Sequence, residues 1–149
     1  MSPADFGCVL AASDFSASAE AAWTVAQRLA RALGAELVLV HVVMEPAMYA
    51  GAPFARGLAG DAQAEARKSA QEQAARWAET ARAGSLGSVR VDLRVGDVPQ
   101  QIVEAAAQAR AGLVVVGTQG GVRRALLGSV ADKVIRLAPC PVVVVHESP

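Results

Sequence analysis

The sequence predicts an α/β fold: a doubly wound parallel β-sheet with helices on both faces. Short apolar runs rich in β-branched residues alternate along the chain with longer segments of helical periodicity. Strands that alternate with helices pair in parallel, because the helices form the crossover connections between them. Helices on both faces require the strand order to reverse once, and ligands bind outside the carboxyl ends of the strands at that reversal.

Five segments have the composition of strands. Four are short, continuous apolar runs, which are typical of strands buried on both faces of a sheet. The segment 89–95 instead alternates apolar and polar side chains, which predicts an edge strand. The first and fourth strands are expected to flank the reversal. The predicted strands are residues 8–12, 37–43, 89–95, 113–116 and 142–145.

Four segments between the strands have helical periodicity and recognisable ends. Gly34 and Gly84 follow the first two as stop signals, and Asp61 is expected to cap the start of the second. Pro99 lies in the first turn of the third, a favoured place for proline. The predicted helices are residues 17–33, 61–83, 98–110 and 129–137.

A long connection is predicted between the second strand and the second helix. Residues 44–60 are rich in Gly, Pro and Ala and are too many for an ordinary turn. Loops of this length are usually functional or mobile. The alternatives are a lid or partner contact at the ligand crevice and a flexible surface excursion.

Length and composition limit the class of protein. A chain of 149 residues predicts a single domain over residues 1–149, large enough to fold without a disulfide or a metal. Lys+Arg and Asp+Glu are 14 each, so the chain has no general attraction to nucleic acid or anionic membrane. No apolar run approaches the ~18–20 residues of a membrane span. No signal peptide is visible, and the expected location is the cytoplasm.

The cysteines and histidines do not form a pattern for metal binding. Cys8 and Cys140 are far apart in the sequence, each beside an apolar run, and are expected to be buried free thiols. A zinc site would need clustered Cys and His, whereas His41 and His146 lie in or beside strands. His41 is expected to be a hydrogen-bonded strand residue rather than a catalytic base.

The segment after the fourth strand is the most informative for function. Its glycines allow backbone to approach a ligand, and it ends by entering a helix, whose free N–H groups and dipole favour an anion. Arg123 and Arg124 add positive charge. Two interpretations remain open: a phosphate cradle, or a tight turn with Ser129 as a simple N-cap. The residues concerned are Gly117, Gly120, Gly121, Gly128 and Ser129.

Asp14 follows the first strand, at the opposite side of the predicted crevice. Its carboxylate could accept hydrogen bonds from an adenine amino group or a ribose hydroxyl. Alternatively it is an N-cap of the first helix, shared with Ser16 or Ser18. Other nucleotide and hydrolase motifs are absent: there is no G-x-G-x-x-G, no P-loop and no G-x-S-x-G. Trp23 and Trp77 are expected to pack helices onto the sheet.

The sequence resembles the universal stress protein (UspA-type) family over nearly the whole chain. The most specific part is residues 114–145, which contain LLGSV and APCP. Further similarity lies in residues 9–16 (VLAASDFS), 37–43 (LVLVHVV) and 95–102 (VGDVPQQI). The resemblance implies a Rossmann-like five-stranded parallel sheet of order 3-2-1-4-5. It also implies a homodimer formed through the last strand, Val142 to His146, and, for many members, binding of ATP or another adenine nucleotide.

The family's nucleotide-binding pattern is Gly-x2-Gly-x9-Gly-[Ser/Thr], and this chain matches it except in one spacing. Seven residues, not nine, separate Gly120 from Gly128, so the shortening falls around Gly120 and Gly121. The resemblance places Asp14 and Val42 on the adenine and ribose side. The implied nucleotide-binding residues are Ser13, Asp14, Val42, Val116, Gly117, Gly120, Gly128, Ser129 and Val130, with Arg123 and Arg124 near the phosphates.

The predicted function is that of a stress-response regulatory protein that binds ATP, with or without Mg²⁺, and has no structural metal. The alternative is a stress protein that binds no nucleotide and acts as a protein-interaction module. No catalytic residue is predicted. The sequence shows no base to orient water and no acidic cluster for Mg²⁺ beyond Asp14, so at most slow ATP hydrolysis is expected.

Overall fold

The structure, a computed structural model, describes residues 5–44, 53–118 and 127–147, without the side chains of residues 53–59. Within these residues, five strands alternate with four helices. The strands are β1 (Cys8–Ala12), β2 (Glu36–Val43), β3 (Val89–Val95), β4 (Leu113–Thr118) and β5 (Val142–His146). The helices are α1 (Ala17–Leu33), α2 (Pro53–Ala83), α3 (Val98–Gln108) and α4 (Ser129–Leu137).

The five strands form one parallel sheet in the order β3-β2-β1-β4-β5, which confirms the predicted fold. The order reverses between β1 and β4, so their carboxyl ends open the crevice at which ligands bind in such sheets. The alternating strand β3 lies at one edge, as predicted, and β5 lies at the other.

The sheet has a separate apolar core on each face. Alternate residues of a strand point to opposite faces, so β2 contributes Leu37 and Leu39 to the core under α1 and α2. The same strand contributes Val38, Val40 and Val42 to the core under α3 and α4. Because the central strands are buried on both faces, they are apolar at most positions, which is why their sequences contain continuous apolar runs.

The second helix begins earlier than the sequence predicts. The expectation of a loop over residues 44–60 and a cap at Asp61 is wrong, because α2 already starts at Pro53. Proline is favoured in the first helical turn, and each glycine inside a helix costs only about 1 kcal/mol, so Gly57 and Gly60 are tolerated. Residues 45–52 lie outside the described residues. The other helices and the strands match their predictions to within two residues.

The edge strand β3 has an internal ion pair. The guanidinium of Arg94 donates to the Asp92 carboxylate at 3.1 Å and to Gln101 at 3.5 Å, and it also donates to Gln108 on α3. Both members of the ion pair are largely shielded from solvent. Charged side chains on an edge strand disfavour pairing with a further strand, so this edge is protected.

Both cysteines are free thiols, as expected, with Cys8 buried and Cys140 half-buried. Burial, followed by the nearby Glu36 carboxylate, raises the pKa of Cys8 to about 11. Burial also raises the pKa of Cys140. Both thiols are therefore protonated and unreactive at neutral pH. Among the described helices, none is long and apolar enough to cross a membrane.

Candidate functional site

A cavity of about 390 Å³ lies at the carboxyl edge of the sheet, where β1 and β4 diverge. Its walls are mainly apolar residues of β2, β4, α3 and α4. Its polar residues are Ser13 and Asp14 of the turn between β1 and α1, Ser18 of α1 and His41 of β2. The structure brings six of the predicted nucleotide-binding residues together here: Ser13, Asp14, Val42, Val116, Gly117 and Val130.

The turn between β1 and α1 is held by side-chain bonds to its own backbone. The buried Ser13 hydroxyl accepts a hydrogen bond from the Phe15 N–H at 2.9 Å. The exposed Asp14 carboxylate accepts one from the Ser16 N–H at 3.0 Å. The N-cap of α1 is Ser16, whose hydroxyl accepts from the Ala19 N–H at 3.3 Å. The interpretation of Asp14 as an N-cap is therefore wrong. Its second carboxylate oxygen accepts no hydrogen bond from the described residues.

Gly117 lines the cavity, but its missing side chain faces the first turn of α1. A Cβ at this position would lie 2.5 Å from the Ser18 carbonyl oxygen and 2.8 Å from the Ser18 carbonyl carbon. Real Cβ atoms do not approach backbone so closely. The glycine thus lets β4 pack directly against α1. From the sequence, the conformational freedom of Gly117 was expected to let the backbone approach a ligand. That expectation did not include the contact between β4 and α1.

The start of α4 has no side-chain cap. The N-cap is Gly128, so the interpretation of Ser129 as the N-cap is wrong; Ser129 is the first helical residue. The first bond within the helix runs from the Asp132 N–H to the Gly128 carbonyl at 2.9 Å. The N–H groups of residues 129–131 therefore have no acceptor within the helix, and the helix dipole adds positive potential there.

Ser129 lines a second cleft, of about 450 Å³, that adjoins the cavity. The two spaces share Met44, Val98 and Val130 as lining residues. Lys133 and the start of α3 complete the cleft. One lining residue at the start of α3 is Asp97, whose carboxylate caps α3 by accepting from the Gln100 N–H at 3.3 Å. The combination in this cleft of a cation with the uncapped N–H groups of α4 suits an anionic group.

Three predicted site residues cannot be placed. Gly120, Arg123 and Arg124 fall within residues 119–126, outside the described residues. The shortening of the glycine pattern at Gly120 and Gly121 falls there as well. Of the predicted residues that the structure describes, Asp14 lies at the rim of the cavity, and Gly128 and Ser129 lie at the start of α4.

Sequence reasoning did not assign His41 to the site, yet it is among the residues that line the cavity. Its Nδ1 lies 2.7 Å from the carbonyl oxygen of Ser13, so it is a hydrogen-bonded strand residue as expected. A carbonyl oxygen only accepts, so Nδ1 holds the proton. The ring also packs on Phe15, with centroids 4.6 Å apart. The available signal was its position at the carboxyl end of β2, next to Val42.

Comparison with known sequences identifies the family. The sequence model described as the universal stress protein family matches residues 6–146. The chain belongs to the universal stress protein family. It is 37% identical over 148 residues to a universal stress protein of Thermus aquaticus described as lying in the QAH/OAS sulfhydrylase 3′ region. That alignment covers 95% of this chain and 99% of the relative.

Solved universal stress protein structures share the fold. UspA from Lactobacillus plantarum superposes with a TM-score of 0.84 at 24% identity, over 94% of this chain and 97% of that one. An Archaeoglobus fulgidus protein in complex with dAMP gives 0.65 at 24% identity, over 94% and 97%. A universal stress protein in complex with cAMP gives 0.64 at 22% identity, over 96% and 98%. At these sequence identities, the structural similarity shows that this universal stress protein shares the fold of the three solved proteins.

Proposed function

We propose that this universal stress protein binds an adenine nucleotide, ATP in particular, at the carboxyl edge of the sheet and acts as a regulatory protein in stress response. The observation that carries the proposal is the cavity at the β1–β4 reversal, which gathers six residues predicted from sequence. Its volume of about 390 Å³ falls in the range of small-molecule sites. Two structural relatives form complexes with adenine nucleotides, dAMP and cAMP.

The cavity suits the base and the ribose. Val42, Val116 and Val130 give it apolar walls, on which a purine ring would bury its faces. Asp14 is the exposed carboxylate at its rim, and one of its oxygens is free of bonds to the described residues. A carboxylate accepts hydrogen bonds only. Asp14 would therefore select a donor such as a ribose hydroxyl or the adenine amino group.

The adjoining cleft suits the phosphates. The uncapped N–H groups at the start of α4 and the Lys133 ammonium face the same space as Ser129. An anion at this helix start gains hydrogen bonds and a favourable dipole interaction. Mg²⁺ in such sites is held largely by the phosphates and one or two carboxylates. The phosphates of the nucleotide itself would supply most of that coordination.

We further propose that the protein is a cytoplasmic homodimer that pairs through β5. The Val114 N–H donates to the Pro141 carbonyl at 3.0 Å, which sets the register of β5 on β4. In a parallel ladder the backbone groups of alternate residues point to opposite sides. The backbone N–H and C=O of Val142 and Val144 therefore point to the open edge. An unpaired apolar edge strand invites a partner strand, and a second copy of β5 would provide it.

Calorimetric titration with ATP and Mg²⁺, on protein stripped of nucleotide, tests the nucleotide proposal. We expect a micromolar dissociation constant for the unaltered protein and at least a tenfold weaker one for Asp14→Asn. Asp61→Asn makes the same chemical change at an exposed position on α2 and should bind as the unaltered protein does. If ATP at millimolar concentration gives neither heat nor a thermal shift, the proposal is wrong.

A second function is favoured by one observation, the apolar side chains exposed on and beside α4. Leu137 is 62% exposed, and Leu127 and Ile135 are also exposed. Apolar side chains clustered on a surface mark contact sites for other proteins. In this alternative the protein is an interaction module. It would show no thermal shift with ATP, and Leu137→Asp would abolish recovery of its partner in a pull-down.

A further inference from the structure

The turn that presents Asp14 contains a residue in a costly backbone conformation. Phe15 has φ +62°, in the left-handed region. A bulky non-glycine residue adopts this region only where the surrounding structure holds it there. Phe15 lies between Asp14 and Ser16, the residues whose bond closes the turn. The orientation of the Asp14 carboxylate therefore depends on whatever holds Phe15 in place.

Where the turn meets the sheet, residues of β2 contact it and hold it in place. The Ser13 N–H donates to the Val40 carbonyl at 2.9 Å, which continues the ladder between β1 and β2. The next residue of β2, His41, donates from Nδ1 to the Ser13 carbonyl at 2.7 Å. The same imidazole packs on the Phe15 ring, at a centroid distance of 4.6 Å. His41 therefore contacts both the start of the turn and its strained residue.

The imidazole lies behind the turn, on the face of the sheet covered by α1 and α2. Leu37 and Leu39, which share the parity of His41 along β2, belong to the core on that face. Phe15 packs against the same core and meets Trp77 of α2 edge to face, at a centroid distance of 5.3 Å. Val40 and Val42 point to the opposite face. The imidazole therefore lies on the other face of the sheet from the apolar cavity walls of β2. An effect of His41 on binding would act through the turn and not through a direct bond to the base.

We infer that His41 is a positioning residue of the nucleotide site: its bond to the Ser13 carbonyl fixes the turn in the conformation that presents Asp14. The inference rests on the proposed function and adds to it a residue outside the glycine motif. Two substitutions distinguish the contribution of the His41 hydrogen bond from that of the rest of the imidazole ring. His41→Asn keeps an N–H donor at the δ position, whereas His41→Leu has a similar size and no donor.

Hydrogen exchange of the ligand-free protein tests the role of His41 whether or not nucleotide binds. We expect His41→Leu to speed exchange of the Phe15 and Ser16 amides, whose acceptors are the Ser13 hydroxyl and the Asp14 carboxylate, by at least tenfold. His41→Asn should stay within threefold of the unaltered protein. Leu39→Val, on the same strand and face, is the control for general destabilisation. Equal exchange of these two amides in His41→Leu and Leu39→Val overturns the inference.

Titration with ATP and Mg²⁺ then tests the link to the site. His41→Leu should lower the affinity at least tenfold and His41→Asn at most threefold. If His41 acts through the turn, the loss caused by His41→Leu should largely disappear when Asp14 is already Asn, because both changes remove the same interaction. Independent losses in the double variant contradict the inference. If the unaltered protein does not bind ATP, the proposed function is wrong. The hydrogen-exchange result still tests whether His41 holds the turn in place.

Discussion

Gly117 and Gly128 both match the nucleotide-binding pattern, but replacing each with alanine should have opposite consequences. At Gly117 an added Cβ would meet backbone of α1 at 2.5 and 2.8 Å. At Gly128 it would meet no atom of the described residues within 4 Å, and the φ of −62° and ψ of 154° are open to any residue. We expect Gly117→Ala to destabilise the fold. We expect Gly128→Ala to leave the fold stable and to weaken nucleotide binding, because the alanine Cβ would take up space at the start of α4, where the phosphates are proposed to bind.

The magnitudes follow from these surroundings. Overpacking of a well-packed contact costs about 1–3 kcal/mol. In a domain of this size each kcal/mol corresponds to about 2–4 °C of Tm, so Gly117→Ala should lower the Tm by roughly 2–12 °C. For Gly128→Ala, the gain of about 0.4–1 kcal/mol from a stiffer unfolded chain opposes a similar loss, because alanine is a poorer N-cap than glycine. The Tm should therefore change by only about 2 °C.

Thermal denaturation of the unaltered protein and both variants, with and without ATP and Mg²⁺, separates these effects. At 100 times the dissociation constant, ATP adds about 2.7 kcal/mol of stability, and a tenfold weaker site loses about 1.4 kcal/mol of that. Gly117→Ala should start from a lower Tm and still gain from ATP. Gly128→Ala should start from the normal Tm and gain less. An unchanged Tm for Gly117→Ala would refute the packing argument, and a full ATP gain in Gly128→Ala would refute phosphate binding at the start of α4.

Three further predictions concern the rest of the molecule. Val144→Pro removes a donor from the open edge of β5, so light scattering should show a monomer; a persistent dimer means pairing through another surface. The raised pKa of Cys8, about 11 against 9.0, means that its contribution to stability is present below pH 9 and lost as the pH rises toward 11. In urea unfolding at increasing pH, Cys8→Ala should lose less stability between pH 9 and pH 11 than the unaltered protein does. An identical loss in the two proteins contradicts the assignment of this effect to Cys8. Arg94→Met leaves the Asp92 carboxylate unpaired and should lower the free energy of unfolding, measured with urea, by about 1–2 kcal/mol. An unchanged free energy of unfolding would show that the ion pair contributes nothing to stability.

The strands were predictable because their pattern has one physical cause. Residues 8–11 of β1 and 113–116 of β4 are buried on both faces and are apolar throughout, while β3 lies at an edge and alternates. The apolar run of β5 departs from this pattern, because β5 lies at the other edge and is only half-buried. The start of α2 was not predictable from the same cues. Gly57 and Gly60 discourage a helix locally, but their summed cost of about 2 kcal/mol is smaller than the packing gained by the remainder of a 31-residue helix.

The placement of the described candidate site residues at one edge of the sheet was predictable, and their local hydrogen-bonding roles were less so. The ends of parallel strands meet at one edge, so Asp14 and Gly117 had to lie near each other once the reversal was placed between β1 and β4. Which residue caps which helix depends on a difference of one or two positions. Ser16 rather than Asp14 caps α1, and Gly128 rather than Ser129 precedes α4. Local hydrogen bonding decides such alternatives, and side-chain type alone does not.

The two glycines do not support nucleotide binding equally. A protein of this fold that bound no nucleotide would still need Gly117, because β4 could not otherwise pack against the backbone of Ser18. Nothing in the described fold requires Gly128, since alanine fits there and serine or aspartate would cap α4 better. Among the described residues no side chain caps this helix start, so its first N–H groups suit an anion. Within the motif, Gly128 is therefore the residue whose presence argues for a ligand.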